Sequence, residues 1–136
     1  MTNEDLAVDY LTRAKKRLSA IDALWNEAAW ADVVRESQEV VELALKGLLR
    51  HVRILAPHNH DVSGVLLANR DLLPQELIQH ADEFARISRS LRRDREISFY
   101  GTEDITPSNF YQPEDAQVAR DQARRVVALV LPVVVK

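Results

Sequence analysis

The chain has 136 residues, 46 % hydrophobic and 29 % charged, with a formal net charge of −3 and no cysteine. That length suits one domain, residues 1–136, able to bury its own core. The charge excludes a general basic field for nucleic acid, so any phosphate contact must come from a local patch. The lack of cysteine excludes disulfides, thiolate metal sites and cysteine nucleophiles, and fits a reducing compartment.

The opening run MTNEDLAVDY is acidic and has no apolar signal-peptide core. Thr2 or Asn3 can cap a first helix, with Glu4 and Asp5 placed at its positive dipole end. The apolar stripe of that helix is Ala7, Leu11, Ala14, Leu18 and Ile21. A second helix is predicted from about Glu27 to Leu55. Its apolar residues, among them Trp30, Val33, Val34, Val40, Val41, Leu45, Leu48 and Leu49, cover more than one stripe, which places it centrally among several neighbours. On this helix Glu42 and Lys46 form an i,i+4 pair, read here as exposed.

The stretch APHNHD reads as a loop, after which Asp61 or Ser63 caps a short helix around Val65 to Leu67. Pro74 begins a third long helix with the stripe Leu77, Phe84, Ile87 and Leu91. GTEDITPSNFYQP reads as an irregular connection. Pro113, Glu114 and Asp115 open a last helix through Val118, Val126, Val127 and Val130. Its end, VVALVLPVVVK, is about half the ~20 residues that cross a bilayer and contains Pro132, so it reads as a buried helix end. No stretch alternates as a strand would. The expectation is an all-α fold, an antiparallel up-and-down four-helix bundle with a short additional helix. The protein is expected to be cytoplasmic and away from membranes. The apolar surface of the second and last helices exceeds what one small bundle readily hides, which predicts a homodimer.

The chemistry-bearing candidates lie mostly in one segment, RDREISFYG, residues 93–101. Arg95 follows Leu91 by four and so extends the apolar stripe of its helix. Such an arginine is paired, snorkels, or faces a cleft or partner. Arg86, Arg89 and Arg93 share another face, either solvated or a phosphate-binding stripe. Arg53 with His58 or His60 has a spacing suited to RNA cleavage, but Pro57 interrupts any shared helical face. His51, His58, His60 and Asp61 offer possible metal ligands, and the simpler reading is a polar loop with Asp61 as a cap. No HExxH motif, phosphate-cradling glycine loop or nucleophile elbow occurs. No metal or cofactor is expected.

The run SQEVVELALKGLL followed by HNHDVSGVLL resembles the HEPN domain (higher eukaryotes and prokaryotes nucleotide-binding). The matching positions are Gln38, Glu42, Lys46 and Leu49, then His60, Asp61, Leu66 and Leu67. LRRDREISFYG, with Pro107, Tyr111 and the EDA of residues 114–116, resembles the second half of that domain. The resemblance covers roughly residues 5–130. It implies a helical bundle that commonly dimerises, and often a minimal nucleotidyltransferase as protein partner, in some cases as a toxin–antitoxin pair. Active ribonucleases of the family carry an arginine followed after four to six residues by histidine. Here Arg95 is followed by Tyr100 where that histidine is expected. A phenol ionises only near pH ~10 in water and is a poor general base at neutral pH. The resemblance therefore implies a non-catalytic module that binds a nucleotide or RNA through Arg92, Arg93, Asp94, Arg95 and Tyr100. The alternatives are a metal-independent endoribonuclease toxin with its site at the dimer interface, and a helical interaction subunit without ligand.

Overall fold

The computed structural model describes residues 1–59, 61–101 and 105–136, and for residues 92–99 the backbone alone. The described residues form helices α1 (Asn3–Asn26), α2 (Trp30–His51), α3 (Ser63–Ala68), α4 (Gln75–Ile78), α5 (Ala81–Tyr100), α6 (Pro107–Phe110) and α7 (Pro113–Val134), with a 3-10 turn at Arg70–Leu72. The fold is all-α, with four long helices as the periodicity predicts.

Thr2 caps α1 reciprocally. Its hydroxyl accepts from the Asp5 N–H at 3.0 Å, and the Asp5 carboxylate accepts from the Thr2 N–H at 2.9 Å. Two donors that the helix cannot satisfy internally thus find partners. Ala7, Leu11, Ala14 and Ile21 are buried along one face of α1. They meet α2, which runs antiparallel to α1: Arg50 donates to Asn3 at 3.0 Å, and Arg17 pairs with Glu36 at 2.8 Å further along. Between these links Gly47 sits where the helices touch, and a Cβ there would fall 2.4 Å from Leu11 Cδ2.

α2 is the central element, packing on α1, α5 and α7. Its apolar residues Val33, Val34, Val40, Val41, Leu45, Leu48 and Leu49 are buried within the single chain. The expectation that α2 leaves a large apolar surface for a dimer is therefore corrected, since three neighbours cover it. α2 is also shorter than predicted. Ala28 has a positive φ of 55° that turns the chain before Trp30, and Arg53, at φ 65°, turns it after His51.

Other predictions need correcting too. The third long helix does not begin at Pro74. Pro74 precedes the one-turn α4, and the chain breaks at Gln79 and His80 before α5 starts. The cap of α3 is Val62, one residue beyond Asp61, whose carboxylate accepts the Ser63 N–H at 2.9 Å. Buried Ser88 of α5 holds the same loop, accepting the Val62 N–H at 3.0 Å and donating to Asp61 at 3.3 Å. The connection after α5 is not wholly irregular, because Thr106 caps α6 by accepting from the Asn109 N–H. Pro132 sits in the last turn of α7 without ending it. Glu42 and Lys46, 2.9 Å apart, are only 14 % and 15 % exposed, and buried Gln38 donates to Glu42 at 3.0 Å. They form a half-buried polar ladder along α2 rather than a surface pair.

No helix among the described residues is long and apolar enough to cross a membrane.

Candidate functional site

The predicted site occupies the last two turns of α5. Positions 92–95 have helical backbone there. The side chains of Arg92, Arg93, Asp94 and Arg95 lie outside the described residues, as do His60 and residues 102–104. Tyr100 closes α5 and is 76 % exposed. The next residue is Gly101, with φ +84°, a left-handed conformation that glycine adopts without steric cost. A Cβ on Gly101 would also lie 2.7 Å from the Ile105 carbonyl oxygen and 2.8 Å from Pro107 Cδ. Glycine thus permits both the sharp exit from α5 and the close return of the chain.

That return positions α6 and the start of α7. Gln112 donates its N–H to Asp115 at 2.8 Å, fixing the first turn of α7. Phe110 and Tyr111 meet edge-to-face with ring centroids 4.9 Å apart; Tyr111 is buried and Phe110 is 41 % exposed. A cleft of about 370 Å³ opens between α5 and α7, lined by Val34, Ser90, Leu91, Phe110, Tyr111, Asp115, Val118, Ala119 and Gln122. Val118, one of the apolar residues that the last helix is expected to run through, is 57 % exposed at the cleft wall. One face of α7 carries Val118, Gln122 and Arg125, and the facing positions of α5 are Ser90, Ile87 and Glu83.

Beyond the cleft, Arg125 makes a two-pronged contact with Glu83, donating Nε–H to one carboxylate oxygen and an NH2 proton to the other, the latter at 3.0 Å. The hydrogen bond from Arg125 holds the Glu83 carboxyl below the usual carboxylate range. Arg86 and Arg89 are exposed on α5; neither makes a direct ion pair among the described residues, and the Arg86 charge adds to that of Arg125 in holding the Glu83 carboxyl low. Ser90 and Gln122 have no hydrogen-bond partner among the described side chains. None of the spacing arguments singled out Ser90, Phe110 or Gln122. Their only sequence signal is the pair of aromatics in NFYQP, flanked by helix-start residues.

A second recess, of about 490 Å³, lies at the other end of α2 between Thr2, Asn3, Glu4, Arg50, His51 and Arg53. Within it Arg50 donates to Asn3, and His51 Nδ1 is 3.0 Å from Glu4. Arg53 lies outside α2 and His58 is exposed in the loop, so the two do not share a helix face. Among the described residues no three metal-ligating side chains converge.

No curated protein and no solved structure matches the chain. The HEPN domain model matches residues 7–133, almost its whole length. The chain belongs to the HEPN domain family.

Proposed function

We infer that this protein is a non-catalytic HEPN module that binds a nucleotide or RNA at the C-terminal end of α5. The reading further takes it to act as a homodimer and to partner a minimal nucleotidyltransferase in a toxin–antitoxin-like setting. The observation that carries it is Tyr100, a strongly exposed phenol closing α5, where the resemblance to family ribonucleases leads one to expect a histidine. Arg95 is assigned to phosphate, with Arg92 or Arg93 assisting, because a planar guanidinium donates two parallel hydrogen bonds to two phosphate oxygens. Asp94 orients a neighbouring donor. Tyr100 stacks on a base or donates its hydroxyl, and takes no proton at neutral pH.

The test is labelled RNA incubated with wild type, Arg95→Ala and Tyr100→His. Wild type is expected to bind without cutting, and Arg95→Ala to lose binding with its helical circular dichroism unchanged. Robust cleavage by wild type, lost in Arg95→Ala, would establish the endoribonuclease reading in its place. Unchanged binding in Arg95→Ala would return this arginine to a purely structural role.

A further inference from the structure

We propose that the cleft between α5 and α7 is a nucleobase subsite, with the attached phosphate seated on Arg86 and Arg89. The proposal takes its ligand class from the nucleotide-binding reading above and adds a place and a set of contacts for the base.

The cleft has the make-up such a site needs. Ligand pockets are typically apolar concavities of roughly 300–1,000 Å³ with a few polar groups that fix orientation, and this one is about 370 Å³. Its floor is buried Val34, Leu91, Tyr111 and Ala119. Its walls are Phe110 and Val118, two large apolar side chains left 41 % and 57 % exposed. The exposure of Val118 is unusual for α7, whose other outward positions nearby are Glu114, Gln117, Asp121 and Arg124. An exposed phenylalanine ring offers a stacking surface to any base, because every base has a π-face. The Ser90 hydroxyl of α5 and the Gln122 amide of α7 both line the cleft, and together they supply donors and acceptors for a base edge.

Charge decides the direction of the ligand. Asp115 stands at the α6 end of the cleft, where it accepts from the Gln112 N–H, so its negative charge keeps a phosphate away from that end. At the opposite end Arg125 neutralises Glu83, and Asp82 is engaged by Arg70. Arg86 shares the Glu83 carboxylate with Arg125, so two guanidinium groups stand against one carboxylate there and leave a positive excess; Arg86 is one turn from Ser90, about 6 Å along the helix axis. Arg89 lies on the adjoining face of the same turn. A base held at Phe110 thus points its sugar and phosphate toward these two guanidinium groups. This excess of positive charge beside the apolar wall favours a nucleotide over a second copy of the chain.

A free mononucleotide and a single-stranded RNA present the same base and phosphate, and the experiment separates them. A fluorescein-labelled single-stranded 12-mer RNA is titrated with wild type, Phe110→Ala, Arg86→Gln and Arg95→Ala by fluorescence anisotropy at several salt concentrations. AMP and UMP serve as unlabelled competitors. Phe110→Ala is expected to weaken RNA binding by roughly tenfold or more. Arg86→Gln should also weaken it and reduce the salt slope by about one unit. Arg86 is exposed, so its variant should melt as wild type does; Phe110→Ala loses the contact with Tyr111 and should show a small shift with an unchanged helical circular dichroism spectrum. Competition by AMP or UMP that is lost in Phe110→Ala identifies a mononucleotide site; binding of the 12-mer without such competition identifies a single-strand site. Binding lost in Arg95→Ala but unchanged in Phe110→Ala and Arg86→Gln would overturn the subsite while leaving the function standing. No binding of either probe by wild type would remove both. A change of oligomeric state in Phe110→Ala with unaltered RNA affinity would assign the cleft to a protein contact instead.

Discussion

Gly47→Ala tests how closely α1 and α2 approach. In isolation the change should stabilise α2, since alanine is favoured over glycine in a helix interior by about 1 kcal/mol. The packing opposes it. The new Cβ would lie 2.4 Å from Leu11 Cδ2, 3.1 Å from Tyr10 Cβ and 3.3 Å from the Ala7 carbonyl oxygen. Leu11 Cδ2 is the far end of a side chain, but Leu11 and Ala7 are both fully buried, so neither has free space to retreat into. Overpacking of a dense core costs about 1–3 kcal/mol. The net expectation is a destabilisation of about 1 kcal/mol, measured by urea denaturation with an unchanged m value. The cause is isolated by adding Leu11→Ala, which alone should cost about 2–5 kcal/mol. In the double variant the alanine methyl enters space that Leu11 vacates, so the combined loss should fall at least 1 kcal/mol short of the sum. A Gly47→Ala protein more stable than wild type, or strict additivity in the double variant, would refute the close contact.

Ser88→Ala should cost about 1–3 kcal/mol, because it leaves the buried Val62 N–H without its acceptor; amide hydrogen exchange at Val62 should accelerate in parallel. Gly101→Ala forces a Cβ onto a backbone at φ +84° and against Ile105 and Pro107, and a loss of at least ~1 kcal/mol is expected on denaturant unfolding. Because Glu83 titrates below its unfolded value, the stability it contributes is present above the unfolded carboxylate pKa of about 4.3 and is lost as pH falls through the folded value. Arg125→Gln removes the main cause of that shift, so its melting temperature should decline less than that of wild type on acidification across this window.

The long helices were legible because their buried faces are written in large side chains. Leu11 and Ile21 on α1, Leu45, Leu48 and Leu49 on α2, and Phe84, Ile87 and Leu91 on α5 are all buried as their spacing predicts. Thr2 was legible as a cap because few residue types combine a short side chain with an acceptor oxygen. α7 misled the reading for the opposite reason. In its first half the buried positions are Ala116, Ala119 and Ala123. Alanine carries little hydrophobic signal, whereas Val118, one position from Ala119 and about 100° around the helix, carries more and yet faces outward. The break at Gln79 and His80 was likewise silent, since neither residue punctuates a helix. The cleft was the least legible feature. Ser90, Phe110 and Gln122 belong to three elements, and only the return of the chain at Gly101 brings them together.

The same alanines explain why a cleft exists at all. Small side chains allow helix axes to approach, and α7 packs extensively on α2 but only sparsely on α5. With Ala116, Ala119 and Ala123 on its buried face, α7 settles close to α2 over Val34. The Glu83–Arg125 pair then ties α5 to α7 at the start of α5. Further along α5 the gap to α7 is lined by Ser90, Leu91, Val118 and Gln122, and the short α6 closes its far end with Phe110 and Tyr111. Close packing on α2 and an open face toward α5 are thus two results of one sequence choice. Phe110 and Val118 at the opening are released from the core, because α2 already supplies the core of this part of the fold. That freedom lets Phe110 and Val118 stay exposed without weakening the fold, which is the condition a ligand-binding surface requires.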